Sequence, residues 1–503
     1  MVRTMGYCVN GEWKTSKTEQ YFDITDSSTG EVIGRVPACT PEEVDEAIAS
    51  AQTAFESWSR LSIAKRTQYM FHWRDVLIAH KEELSQLCAR ELGKTIGEAR
   101  GDVQKAIEPT EAACALPAQI QGDAALQVTT NYDTATYRMP LGVTAGIVPM
   151  NFPAMIPWGW MVPLSIACGN TVVLKANSQT PLTSMRIMEL FYTEGGFPKG
   201  VVNLVTANRD VADILVTDPR IKAVTFVGTT GVGRQIYSRA AMNGKRVQAQ
   251  TEAKNHALVL EDCNLEASVN AIINSTYGCA GMRCMALPVV VVQESIADEF
   301  VALLKKKAMA MKVGCAYDEE TQLGPVSSAG HKKKILDWIQ KGIDEGAELV
   351  LDGRDIVVPG YENGYFVGPT ILDHVEPGMT VGDREIFGPV TCVKRVKDYD
   401  EGIRVMNANP FANGSCIFTQ SGYYSRKFVM DTDGGMVGVN VGIPVPTAYF
   451  PFSGNKESFF GDLHVLGKDG YRFFTRAKTV TTHWFDENAA SRKVGTWEGS
   501  TES

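Results

Sequence analysis

Val143-Thr144-Ala145-Gly146-Ile147-Val148 and Thr171-Val172-Val173-Leu174-Lys175-Ala176 frame a segment, 154–168, whose apolar residues recur at helical spacing. Short apolar runs rich in β-branched residues and bounded by Gly, Pro or Asn read as fully buried strands. The pattern then continues as helix 184–195, strand 201–207, segment 211–217, strand 223–227, helix 232–243 and strand 246–252. Strands joined through helices specify a parallel sheet covered on both faces, because each parallel connection needs a crossover whose helix buries one face. A second alternation starts with 256–261, 265–277 and 287–293 and runs to 441. The fold class is therefore α/β, with two doubly wound parallel-sheet domains.

Working outward, 41–57 and 63–94 have helical spacing with many charges, as expected of outer helices on the first unit. Segments 126–138 and 478–485 alternate Thr, Tyr and polar residues and fit neither unit. Exposed β-rich flaps of this kind pair with another subunit, which predicts a homodimer or homotetramer. The expected organisation is 1–117 with 141–252 as one α/β domain, 253–456 as a second, and 118–140 with 470–488 as a small β oligomerisation flap. The polar stretch 489–503 is expected to be a disordered tail.

Composition excludes several classes. The chain of 503 residues is 44% hydrophobic and 21% charged, enough for more than one core. Its formal charge of -9, with lysines clustered only at 305–307 and 332–334, does not describe a nucleic-acid surface. The uncharged stretch 139–174 is interrupted by Pro149, Pro153, Pro157 and Pro163, so no piece is long enough for a spanning helix. The first ten residues lack the apolar core of a secretory leader. Eleven cysteines at scattered spacing suggest neither a disulfide framework nor a zinc site, and a reducing cytoplasm is expected. His256 and His464 have no ligand partners at diagnostic spacing, so no metal is expected.

Two motifs carry chemistry. Gly278-Cys279-Ala280-Gly281-Met282-Arg283-Cys284-Met285-Ala286 places one thiol beside a fixed positive charge in a small-residue turn. A thiol is nucleophilic as its thiolate, and a neighbouring guanidinium with oriented backbone amides favours that form. Packing alone is the alternative for a single cysteine, and for Cys279 packing is preferred over a redox role. Val227-Gly228-Thr229-Thr230-Gly231-Val232-Gly233 lies between strand and helix, where phosphate can approach backbone amides at a helix amino terminus. Its glycine order departs from the common dinucleotide fingerprint, so a tight turn explains it equally well.

Further motifs accompany these two: Pro149-Met150-Asn151-Phe152-Pro153, Lys175 at a strand end, Glu385-Ile386-Phe387-Gly388-Pro389-Val390, and Asn409-Pro410-Phe411-Ala412-Asn413-Gly414. With them the chain resembles the aldehyde dehydrogenase superfamily from about Tyr21 to Phe485. Gly244-Lys245-Arg246-Val247-Gln248, Ala253-Lys254-Asn255-His256 and Arg283-Cys284-Met285-Ala286-Leu287 look like its methylmalonate-semialdehyde dehydrogenase branch, which passes the acyl group to coenzyme A. The resemblance implies a Rossmann-like cofactor domain and a small-molecule aldehyde substrate. It implies that Cys284 attacks the aldehyde and that Asn151 and the Cys284 amide hold the oxyanion. It further implies that Lys175, Ser178, Gly228, Thr229, Gly233, Phe152, Glu385 and Phe387 surround NAD. Arg283, Lys105 and Phe452 are the substrate-binding candidates.

The departures from the family pattern shape the expectation. Gln250 stands where most members carry the glutamate that activates water, and an amide cannot accept that proton. Coenzyme A as acyl acceptor agrees with this. Glu252 stands where glycine is usual; if 246–252 is one strand, it shares a face with Gln250 and offers a relocated base for hydrolysis, or a structural partner of Arg283 or Lys254. Met282 and Lys105-Ala106 alter the substrate entrance, and Ser178 replaces a carboxylate, which leaves NADP open beside NAD. The reading is oxidation of a small acidic semialdehyde through a Cys284 thioester. A hydrolytic dehydrogenase releasing free acid, and a non-catalytic binding scaffold, stand as alternatives.

Overall fold

The computed structural model describes residues 3–485; the expected tail 489–503 lies outside them. An eight-stranded sheet carries the first alternation in the order Phe459–Gly461, Arg246–Gln250, Ile221–Val227, Val143–Ile147, Thr171–Ala176, Val202–Thr206, Tyr7–Val9, Glu12–Lys14. Its five central strands are parallel, while Tyr7–Val9, Glu12–Lys14 and Phe459–Gly461 join the edges antiparallel. Pure parallel pairing thus holds for the centre only. The strand Val143–Ile147 sits between Thr171–Ala176 and Ile221–Val227, so chain direction across the sheet reverses there. A crevice opens at the carboxyl ends of strands at such a reversal, where ligands of open α/β sheets bind.

A seven-stranded sheet carries the second alternation, in the order Glu348–Leu351, Thr370–Asp373, Val390–Val396, Val289–Gln293, His256–Val259, Gly414–Phe418, Met436–Val439. It is parallel except for the edge strand Glu348–Leu351. Val289 to Val292 are fully buried, as expected of a central strand covered on both faces. Ala124–Thr129, Tyr132–Pro140 and Thr475–His483 form a separate three-stranded antiparallel sheet, the flap anticipated from sequence.

Two local expectations are corrected. The helix read over 154–168 is a π-helical stretch, Ile156–Met161, followed by a short helix, Pro163–Ala167. Pro157 and Pro163 lack the amide that a continuous helix would need. The strand read over 246–252 ends at Gln250, so Glu252 leaves the sheet and does not share its face with Gln250. No described helix is long and apolar enough to cross a membrane.

Candidate active site

The loop that carries Cys284 is built by a tight turn. Helix Leu265–Tyr277 gives way to Gly278–Gly281, in which Cys279, Ala280 and Gly281 have φ of 51°, 50° and 74°. Two of these are non-glycine residues in the left-handed region, a strained arrangement that persists only where the surroundings fix it. Glu98 supplies the fixing: its Oε1 accepts from the Cys279 amide at 2.6 Å and from the Arg283 guanidinium at 3.2 Å. The same guanidinium donates to Cys279 Sγ at 3.2 Å and to the Asn274 carbonyl at 3.2 Å.

The Cys284 carbonyl is pinned by two buried amides, Asn255 Nδ2 at 2.8 Å and Asn413 Nδ2 at 3.0 Å. Asn255 in turn accepts from the Gly414 amide at 2.8 Å, which ties the loop to the strand Gly414–Phe418. Both asparagines lie in motifs visible in the sequence, but their role was not. Asn151, 4% exposed, donates through Nδ2 to the Met282 carbonyl at 3.1 Å, and this fixes its amide beside the loop.

A cavity of about 760 Å³ runs along the crevice, lined by Cys284, Asn151, Lys175, Ser178, Gly228, Thr229, Glu252, Glu385 and Phe387. This volume is in the range of small-molecule and cofactor sites. Among the described residues Lys175 has no counter-charge, and burial lowers its pKa to about 8. Glu385 accepts from the Ala253 amide at 3.1 Å, yet burial, reinforced by the Glu252 charge, lifts it to about 8. Phe387 sits at φ 61°, with its carbonyl 2.8 Å from His331 Nε2.

The thiol itself departs from expectation. Burial first, and then the Glu385 carboxylate, push Cys284 up to about 12, against the lowering effect of its own backbone amide, Lys94 and Arg283. The Arg283 guanidinium is engaged by Glu98 and Cys279, and its lowering effect on Cys284 is outweighed by burial. Lys94 is a cation that sequence reading overlooked. It is fully buried, ion-paired to Asp102 at 3.0 Å, and lies 3.3 Å from the centroid of the Phe152 ring.

Six other candidates are placed away from the cavity wall. Phe152 packs under Lys94. Gly233 is needed where the helix crosses the sheet, since a Cβ there would meet Thr251 Cγ2 at 2.3 Å. Gln250 is buried, donates to the Phe452 carbonyl at 3.3 Å, and leaves Oε1 without a partner. Phe452 is buried, 4.6 Å from the Trp160 ring. Lys105 is paired with Glu108 at 2.7 Å, and Arg283 belongs to the turn. None of the three substrate candidates thus reaches the cavity. Glu252 reaches it, but its partner is neither Arg283 nor Lys254: Oε2 accepts from the Thr230 amide at 2.8 Å.

A family model, "Aldehyde dehydrogenase family", matches residues 13–480. The chain belongs to the aldehyde dehydrogenase family. Within that family it is 46% identical, over 96% of its length, to malonate-semialdehyde dehydrogenase 2 of Bacillus mycoides (strain KBAB4), covering 99% of that relative. It is also 46% identical, again over 96% of its length, to malonate-semialdehyde dehydrogenase of Bacillus subtilis (strain 168), covering 98% of it. Among solved aldehyde dehydrogenase folds, a chain from Sinorhizobium meliloti 1021, assigned as a methylmalonate-semialdehyde dehydrogenase and complexed with NAD, superposes with a TM-score of 0.95. The two are 37% identical, and the match covers 97% of this chain and 99% of that one. Methylmalonate-semialdehyde dehydrogenase from Oceanimonas doudoroffii also gives 0.95, at 39% identity over 97% of this chain and 100% of that one. The chain is accordingly an enzyme of the aldehyde dehydrogenase type, on the α/β fold with Rossmann-like and catalytic parts.

Proposed function

We propose that this enzyme oxidises a small acidic semialdehyde with NAD through a thioester on Cys284 and passes the acyl group to coenzyme A. The observation that carries the reading is the shared cavity: Cys284 and Asn151 line one crevice with Lys175, Glu385, Phe387, Gly228 and Thr229. The residues suit a dinucleotide. Lys175 is a cation without a counter-charge, Glu385 is a carboxyl able to hold ribose hydroxyls, and the glycine turn opens a helix start to phosphate. A nicotinamide dinucleotide, when bound, supplies the two-electron acceptor for the oxidation.

The chain's own residues do the rest. The Cys284 thiol must lose its proton and add to the aldehyde carbon, while the Asn151 amide and the Cys284 N–H hold the oxygen that becomes anionic. Met282 keeps Asn151 oriented for this task through the 3.1 Å hydrogen bond. After oxidation, the acyl group remains on Sγ as a thioester. Gln250 cannot take a proton from water, so position 250 offers no base for hydrolysis. A thiol acceptor needs no such base once ionised. The acidic character of the aldehyde rests on the relatives' substrates, since Arg283 and Lys105 are ion-paired. Ser178 adds no carboxylate to the cavity, so NADP is a second acceptor on this reading.

The flap exposes Leu126 at 81% and Val128 at 52% on a short edge strand, which supports a homodimer or homotetramer formed through it. The test of function is formation of the reduced dinucleotide, followed at 340 nm, with malonate semialdehyde, its methyl homologue and neutral aldehydes, with and without coenzyme A. Coenzyme A-dependent turnover and an acyl-coenzyme A product by mass are expected, and Cys284→Ser abolishes both. Free acid formed at the same rate without coenzyme A refutes the transfer step; no reduction with any aldehyde refutes the oxidation.

A further inference from the structure

Glu252 holds a place that the proposed cofactor needs. Helix Thr230–Met242 begins directly after the glycine turn, and its N-cap residue, Thr229, makes no side-chain cap. The first turn contains no acid of its own. The amide of Thr230 is instead satisfied by Glu252 Oε2 at 2.8 Å, from a residue past the end of strand Arg246–Gln250. The Thr230 hydroxyl is buried without a partner at the same helix start. Glu252 lines the cavity together with Gly228 and Thr229.

The physical conflict is direct. An orphan amide at the positive end of a helix binds an anion, whether a phosphate or a carboxylate. Here the chain supplies its own anion. Among the described residues Glu252 forms no ion pair, and Arg239 of the cavity wall is already paired with Asp213 at 2.6 Å. Glu385, another acid on the wall, adds like charge when ionised.

We propose that Glu252 is an internal competitor for the pyrophosphate of the dinucleotide. The carboxylate leaves the Thr230 amide when the cofactor enters and returns as it departs, so that Glu252 lowers dinucleotide affinity and speeds release. This rests on the dinucleotide reading of the cavity. Deleting the competing cap should tighten binding of a pyrophosphate-bearing ligand about ten-fold, equivalent to ~1.4 kcal/mol and within the usual worth of a charged helix cap.

The experiment is equilibrium titration with NADH, read by energy transfer from protein tryptophan, for the wild-type enzyme, Glu252→Gln and Glu252→Gly. Adenosine, which has no phosphate, serves as displacing probe in parallel. Both variants are expected to bind NADH more tightly, Glu252→Gly by about ten-fold and Glu252→Gln by less, since the amide still accepts from Thr230 but carries no charge. Adenosine affinity should be the same in all three proteins. NADH binding by the wild type with no gain in either variant overturns the proposal alone, as does an equal gain for adenosine. Absence of NADH binding in all three removes the dinucleotide reading and the proposal with it.

Discussion

Gly281 joins the Cys284 loop to the loop that carries Glu385 and Phe387, and Gly281→Ala tests whether their spacing governs the reaction. At φ 74°, a Cβ on residue 281 would lie 2.0 Å from the Gly388 carbonyl oxygen and 2.3 Å from its carbon. Carbon and oxygen in van der Waals contact stand more than 3 Å apart, so the two backbones must separate by roughly 1 Å, and neither is a flexible side-chain end. The left-handed conformation adds about 1–2 kcal/mol for alanine. Together with the repacking, a destabilisation of ~2–4 kcal/mol is expected. The catalytic effect should be larger in proportion, because a 1 Å misplacement of reacting groups costs about 10²-fold in rate. Steady-state kcat and KM at saturating cofactor, with thermal melts, measure both. Gly101→Ala is the control: it lies on the exposed face of helix Ile96–Cys114 with nothing within 4 Å of its new Cβ, and should gain ~0.5–1 kcal/mol with unchanged kcat. A Gly281→Ala enzyme within three-fold of wild-type kcat would refute the claim that contact between these loops sets the geometry of the site.

Asn151→Ala removes the proposed side-chain oxyanion donor and leaves the Met282 carbonyl without its partner; kcat should fall by ~10²–10³-fold, and a loss under ten-fold would assign oxyanion binding to the backbone alone. With Cys284 held at about 12, kcat/KM for the aldehyde should keep rising from pH 6.5 to 9.5, whereas a plateau from pH 7 would show a thiolate standing in the free enzyme. Glu385 retains in the folded state, up to about pH 8, a proton that the unfolded carboxyl loses near 4.5. The folded state therefore binds more protons in that window, and its stabilising contribution is lost as pH rises through it. Measured as Tm, wild type should fall increasingly below Glu385→Gln between pH 5 and pH 8, a divergence on the order of a few kcal/mol; parallel curves would count against a buried, protonated Glu385.

The five central strands of the first sheet and two strands of the second were legible because a strand buried on both faces needs an unbroken apolar run, as in Val289 to Val292 and Thr171 to Leu174. The antiparallel edges were not. Phe459–Gly461 is only three residues long, and its pairing with Arg246–Gln250 is a long-range event with no periodic signature. Near the site, motifs located the loops but not the directions of their side chains. Arg283 adjoins Cys284 in sequence, yet its guanidinium turns to Glu98, 185 residues away, because the left-handed turn needs an anchor more than the sulfur needs a cation.

Lys94 shows the opposite error. It closes a charged stretch that reads as surface helix, but it is fully buried between Asp102 and the Phe152 ring. A buried ammonium requires a partner to remain charged. That partner is supplied eight residues further along, on helix Ile96–Cys114. Asp102 also accepts from the Met155 amide at 2.7 Å, so the pair holds the segment just after Asn151. Charge adjacent in sequence therefore builds the turn here, and charge distant in sequence supports the segment that follows Asn151. The same displacement applies to the acids: Glu252, two positions from Gln250, accepts from the amide at a helix start two elements away. What decides the chemistry of this cavity is which amide or cation each carboxylate already satisfies, and that is a property of the folded chain.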